Sequence, residues 1–277
     1  MGISLTAQMT TNLMSLQGTA KLMGITQERL ATGKKVNSAI DDPVAFFDAD
    51  AHYQLANDYA ALKNGMSEGV QTIKAATDTI ESIKSVLQQM KSIATSAKSS
   101  TAATDTTALK AQYDALRTQL DNLAGDAVYK GVNLLQTGVG ALTVVFNTSG
   151  DSLSIDGVAS DSAGLGVVVS GTWWAAGPPA GPANAAIDAD IAFIDAAIGT
   201  LRSTAKTFAS NLSLVTTRQD FTDKMIATLK IGGDNLTLAD MNEEGANMLM
   251  LQTRQALGIQ SLSIASQSAQ QVLQLFR

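Results

Sequence analysis

The side chains able to do chemistry in this 277-residue sequence are few, and their spacing does not serve chemistry. Asp48, Asp50 and His52 come closest to a metal-ligating set. They fall two residues apart in a helical stretch, and residues i and i+2 of a helix point in different directions, so the three read as solvated surface. His52 is the only histidine and there is no cysteine. That removes histidine-clustered and thiolate metal sites, Ser-His nucleophilic catalysis and disulfides. No glycine-rich phosphate loop and no convergent carboxylates are present. The expectation is a chain that is not an enzyme, with no cofactor and no metal. A formal charge of −6 and a pI near 4.7 argue against a nucleic-acid surface, and Lys34-Lys35 is too short for one. Asn147-Thr148-Ser149, Asn211-Leu212-Ser213 and Asn235-Leu236-Thr237 match the N-glycosylation pattern, for which chance is the better account. Trp173-Trp174, in a Gly/Pro-rich loop, reads either as a recognition surface or as packing, with one indole covering the open face of a hairpin; packing is preferred.

Function must then come from surfaces, and the chain ends are the unusual ones. Met1–Ala20 carries no charge, with Ile3, Leu5, Met9, Leu13, Leu16 and Met23 forming a loose apolar stripe. From Ala256 onward the only charge is Arg277. Leu257, Ile264, Val272 and Leu275 recur there at helical spacing, and Leu262, Ala269, Leu273 and Phe276 extend the face. The interspersed Gln and Ser residues exclude a membrane span. They make a neutral polar face that can be packed against protein without burying charge. The N-terminal stretch lacks a basic n-region and a continuous apolar core, so no cleaved signal peptide is expected.

The elements between the ends are long helices. Leu55, Tyr59, Leu62, Met66, Gly69, Ile73, Ala76, Ile80, Ile83, Leu87, Met90, Ala94 and Ala97 step by four and three without a break, the coiled-coil repeat, with Gly69 as its weak position. A shorter repeat runs through Leu109, Tyr113, Leu116, Leu120, Leu123 and Ala127. A third runs from Ile187 through Ile194, Leu201, Phe208 and Leu212 to Leu229, with Gln219 and Thr222 as polar interruptions. Between Gly131 and Gly171 the period drops to two: Leu142, Val144 and Phe146, a turn, then Leu153 and Ile155, with Val167–Val169 as a further edge. The fold expected is mainly α with a small β-hairpin region, an elongated antiparallel helical rod with the N- and C-terminal helices paired. Residues 1–36 and 236–277 form the terminal helical domain. Residues 37–140 and 184–235 form the rod, and 141–183 form its hairpin and loop. A two-helix end has too little core alone, so the termini are expected to order only when copies pack together.

Three stretches then carry a family resemblance. RLATGKKVNSAIDDPVAFF (Arg29–Phe47), DNLAGDAVYKGVNLL (Asp121–Leu135) and LQTRQALGIQSLSIASQSAQQVLQLFR at the C-terminus resemble bacterial flagellins, in the right order and on a matching helical layout. The resemblance implies a structural subunit that self-polymerises into the extracellular helical filament used for motility, exported unfolded through the flagellar channel. Terminal-helix residues Ile3, Leu5, Met9, Leu13, Leu16, Leu257, Ile264, Val272, Leu275 and Phe276 would make subunit contacts. Arg29, Asn37, Asp41 and Asp42 would form a hinge, read equally as a solvated bend or as a subunit contact. Leu62, Ile73, Ile80, Leu87, Leu116, Leu120, Ile194, Leu201, Phe208 and Leu212 would form the rod core. Implied partners are further copies, other flagellins, an export chaperone and apparatus, and cap and junction proteins, with no nucleic acid and no membrane insertion. The large outer domains of bigger flagellins are missing between hairpin and return helix. Asp41-Asp42-Pro43-Val44 also resembles the hook-filament junction proteins, an alternative within the same assembly; a helical binding module with disordered ends is the alternative of another class. In receptor-activating flagellins an Arg lies on the rod helix where Gln89 falls in the run Gln88–Ile93, so weak activation of the innate flagellin receptor is expected.

Overall fold

The computed structural model describes residues 7–138, 141–176 and 181–275. Ile3, Leu5 and Phe276 lie outside the described residues, as do the side chains of Val272 and Leu275. Five helices dominate the described residues: α1 (Ala7–Thr32), α2 (Pro43–Lys98), α3 (Ala103–Asp126), α4 (Asn184–Thr237) and α5 (Met241–Leu275). The strands are short antiparallel pairs: β1 (Val128–Tyr129) with β2 (Val132–Asn133), β3 (Leu142–Val145) with β4 (Ser152–Ile155), and β5 (Trp174–Ala175) with β6 (Gly181–Pro182). No helix among the described residues is long and apolar enough to cross a membrane. The chain divides into two compact units, residues 1–56 with 227–277 (unit 1) and residues 57–226 (unit 2).

Unit 2 is built around the 4–3 repeat of α2. From Met66 to Ala97 every residue of that repeat is buried, and Ile73, Ile83, Leu87 and Met90 have no exposed surface. Leu120, Ile194, Leu201 and Phe208 are buried in the same cluster, with Leu62, Leu116 and Leu212 packed against it. Lys63–Asp223, Lys91–Asp195 and Lys98–Asp188 ion pairs, each 2.6 Å, run antiparallel along α2 and α4. Gln219, a polar interruption of the α4 repeat, donates to Ser67 Oγ at 2.8 Å.

Gly69 is not a weak position. A Cβ there would lie 2.7 Å from Val144 Cγ2, so the absent side chain is what lets β3 sit on α2. The β3–β4 hairpin follows the period-two expectation, with Val144 and Ile155 buried and its turn closed by Phe146 N–H donating to Asp151 O. Val167–Val169 form no strand. Val167 N–H donates to Ser162 O in a local turn, and Val168 and Val169 are exposed, because α3 grips this segment through polar groups. Ser162 N–H donates to Asp121 at 2.7 Å and Ser170 N–H to Asp114 at 3.2 Å, the two carboxylates standing one heptad apart. β1–β2 turns through Lys130 and Gly131, both at positive φ, as a tight two-residue hairpin requires. Asn133 then donates to Ala124 O, ending α3, and its Oδ1 accepts Leu135 N–H.

Trp173 corrects the expectation that an indole covers the hairpin. It is buried against Tyr113 of α3, ring centroids 5.1 Å apart and edge-on, and its Nε1–H donates to the buried Asp190 of α4 at 2.6 Å. Burial in apolar surroundings, reinforced by Asp190 and Asp114, pushes the Tyr113 phenol well above its ordinary range. Trp174 is half-buried and pairs across the strands with Pro182.

Candidate assembly interface

Unit 1 centres on α1 and α5, packed side by side over much of their length. On α1 the residues turned inward are Met9, Asn12, Leu16, Thr19, Met23, Thr26 and Leu30, a 3–4 repeat. On α5 they are Leu251, Gln255, Gly258, Leu262 and Ala265. Asn12, Thr19, Thr26 and Gln255 are polar, Gly258 lacks a side chain and Ala265 offers one methyl group, so large apolar residues make up only half of this seam. Gly258 sets the closeness of the helices, since a Cβ there would lie 2.6 Å from Leu16 Cδ2.

The large apolar residues stand outside. Leu257 is 65% exposed, Leu249 67% and Ile264 55%; Leu13, Met14, Leu22, Ile25 and Ile259 are exposed too. The single face drawn through Leu257, Ile264 and Leu262 therefore splits. At about 100° per residue Leu262 stands roughly 140° round the helix from Leu257. It turns toward α1, while Leu257 and Ile264 turn away. The sequence signal for the inward face was the 251, 255, 258, 262, 265 spacing, hidden because three of those residues are Gln, Gly and Ala.

Residues near the ends of these helices hold the chain's bends. Gly33, at φ +71°, stops α1 with its N–H on Arg29 O. Lys35 N–H then donates to Thr237 O and Ala239 N–H to Gly33 O, pairing the two bends. Asp240 accepts from Asn242 and Glu243 N–H and so caps α5. Arg29 pairs with Glu244 at 3.0 Å, an ion pair whose carboxylate is buried while the guanidinium is partly exposed. Asn37 donates to Glu28 Oε1 at 3.1 Å. Asp41 Oδ2 accepts from Asn37 N–H, Ser38 N–H and Ser38 Oγ. Those hydrogen bonds, backbone ones foremost, hold its carboxyl below the usual range. Asp42 Oδ1 accepts Ala45 N–H and caps α2, with Pro43 at the first helical position. Ile40, at the tip of this pinned loop, is 94% exposed, and Val44 and Phe47 are exposed beside it in sequence.

Tyr53 ties the remaining part of unit 1. Its hydroxyl donates to Asp234 at 2.7 Å, and that bond raises its pKa. Its ring lies close against Gly233, where a Cβ would stand 2.8 Å from Cζ. Asp48, Asp50 and His52 do not gather: Asp50 accepts from Gln54, His52 lies beside Gly232, and no metal-ligating group of three occurs among the described residues.

The arrangement is one of surfaces. It offers an exposed, largely uncharged apolar surface on two paired helices and a rigid bend carrying more of the same. A family model, the bacterial flagellin N-terminal helical region, matches residues 3–139. Among curated proteins, Flagellin FljK of Caulobacter vibrioides is 31% identical over 96% of this chain and 94% of that one. Flagellin FljO of the same organism is 30% identical with the same coverage. Flagellin A of Rhizobium meliloti is 41% identical over 35% of this chain and 25% of its own length. Among solved structures, a Bacillus cereus flagellin aligns with a TM-score of 0.48 and 21% identity, over 57% of this chain and 88% of that one.

Proposed function

The chain belongs to the bacterial flagellins and is a structural subunit of the extracellular flagellar filament, and on that premise we propose that its α1–α5 pair is the surface through which copies polymerise. The observation that carries this is the split of apolar residues: small and polar residues take half of the seam, while Leu13, Leu257 and Ile264 face outward. Burying such side chains against neighbouring copies contributes roughly 25 cal/mol per Å² of apolar surface. Contacts of that kind that do not close into a ring generate open helical polymers. Ile3, Leu5, Val272, Leu275 and Phe276 belong by sequence to the same proposed surface; Met9 and Leu16, expected there as well, instead turn into the seam, Met9 buried and Leu16 against Gly258. Arg29, Asn37, Asp41 and Asp42 serve it by fixing the bends within the chain.

Seeded polymerisation followed by electron microscopy tests the reading. A chain truncated before Gly258 is expected to keep unit 2 folded and to form no filament; filaments from the truncated chain would overturn it. Export unfolded through the flagellar channel, with an export chaperone, fits the lack of cysteine. Cap and junction proteins and other flagellins would meet the same surface. Weak innate-receptor activation follows from the neutral, exposed Gln88 and Gln89, with the neighbouring Lys91 engaged by Asp195. Strong activation by purified monomer in a reporter assay would contradict it.

A further inference from the structure

The ion pairs of unit 2 define a register, and at one of its steps two cations face each other. Between Lys98–Asp188 and Lys91–Asp195 the chain moves seven residues back on α2 and seven forward on α4. Another twenty-eight on each helix reach Lys63–Asp223. One heptad beyond Lys91–Asp195, the same register sets Lys84 opposite Arg202, cation against cation. Lys206 stands one turn further along α4. The three line a hollow of about 150 Å³ together with Glu81, over apolar side chains that include Ile80 and Leu201. Glu81 is the one anion there; it pairs with Lys84 at 3.3 Å from the same helix and is itself 65% exposed. Arg202 and Lys206 make no ion pair among the described residues. The hollow thus holds three cations and one anion, in a chain whose net charge is −6.

We propose that the Lys84–Arg202–Lys206 hollow seats a carboxylate side chain from a second copy of this chain. The inference rests on the reading of the protein as a filament subunit. A guanidinium flanked by ammonium groups matches a carboxylate in charge and in fork geometry, and the apolar floor accepts its methylene groups. A second copy brings the complement: Asp78, Asp105, Asp126 and Asp156 of unit 2 are exposed and, among the described residues, have no ion pair. Because the groups are exposed, the contact acts on encounter rate and register more than on affinity.

The test uses full-length chain. Filaments are grown on seeds from an equal mixture of ¹⁴N- and ¹⁵N-labelled protein and treated with a zero-length carbodiimide crosslinker. Mass spectrometry is expected to find mixed-isotope peptides joining Lys84 or Lys206 to an Asp or Glu. An R202E/K206E variant is expected to elongate wild-type seeds about tenfold more slowly at low salt. The gap should narrow as salt rises. Circular dichroism checks that the variant folds; if it does not, the crosslinks in wild-type filaments decide. Same-isotope products only, or a folded variant that elongates at the wild-type rate, would overturn the proposal. Loss of retention on dextran sulfate with elongation unchanged would also overturn it, assigning the hollow to an anionic polymer. A wild-type chain that forms no filament sinks the parent reading and this one together; wild-type filaments without mixed-isotope crosslinks sink this one alone.

Discussion

Units 1 and 2 are both made of long helices with a 4–3 repeat, yet they place their apolar residues in opposite ways. In unit 2 the repeat positions hold Ile, Leu, Met and Phe, buried within the unit, while Lys and Asp mark the rim. In the α1–α5 pair Asn, Thr, Gln, Gly and Ala hold half of the repeat positions, with Met and Leu at the rest, while further Leu and Ile residues lie outside. The first pattern satisfies itself. The second leaves its driving force unspent in a single chain, which is the property a polymerising end needs and a free-standing domain avoids.

The sharpest way to break this comparison is to remove the same side chain from each region. Leu87→Ala in unit 2 should cost about 2–5 kcal/mol, because no surface of that leucine is exposed and the cavity cannot fill. Denaturant unfolding followed by circular dichroism measures it. Leu257→Ala on α5 should change monomer stability by less than about 0.5 kcal/mol, yet slow seeded growth. Equal losses in the monomer would erase the distinction between the regions.

Two glycines give a smaller contrast. Gly69→Ala would press a Cβ against Val144, a buried β-branched side chain fixed by its strand, and should destabilise unit 2 by about 1–3 kcal/mol. Filling the heptad would therefore weaken it, the reverse of what coiled-coil logic alone gives. Gly258→Ala meets the end of Leu16, a half-buried and flexible side chain that can swing toward solvent. Its cost in the monomer should stay under about 1 kcal/mol. Thermal unfolding of the two variants compares them directly.

These contrasts also mark how far the sequence was legible. The heptads of α2 and α4 were plain because apolar side chains meet one another there, so periodicity and burial coincide. The β3–β4 hairpin was plain for the same reason at period two. Gly69 was misjudged because its partner, Val144, comes from a strand 75 residues away and leaves no trace in the local repeat. The inward face of α5 was misdrawn because several of its markers are polar or small, and a search for large apolar stripes finds the outward face instead. Trp173 was half legible: its type required a buried partner for the indole N–H, but only the fold brings Asp190 to it. The bend residues Arg29, Asn37, Asp41 and Asp42 were marked by resemblance, while their hydrogen bonds follow from capping chemistry that the motif does not itself spell out.

The smallest effect concerns two tyrosines and is silent at neutral pH. Both have raised pKa values, for different reasons: hydrogen bonding to Asp234 for Tyr53 in unit 1, burial for Tyr113 in unit 2. A phenol whose folded pKa lies above its unfolded value of 10.0 contributes stability that is complete below pH 10 and is lost as pH rises toward the folded pKa. Unit 2 should therefore lose stability on going above pH 10, and tyrosinate absorbance from Tyr113 should appear only with unfolding. Tyr113→Phe should weaken that dependence, leaving the part due to Tyr129, whose pKa is raised by its hydrogen bond to Glu68. It should leave stability at pH 7 unchanged or slightly higher, because the Tyr113 hydroxyl is buried with no hydrogen-bond partner among the described residues and its removal forfeits nothing. Tyr53→Phe should instead cost about 0.5–1.5 kcal/mol at pH 7, since it deletes a 2.7 Å hydrogen bond to Asp234. Denaturation midpoints at pH 7 and pH 11 for both variants separate the outcomes. A Tyr113→Phe protein that is weaker at pH 7 would mean that the hydroxyl has a partner, and that the core of unit 2 is less dry than its packing indicates.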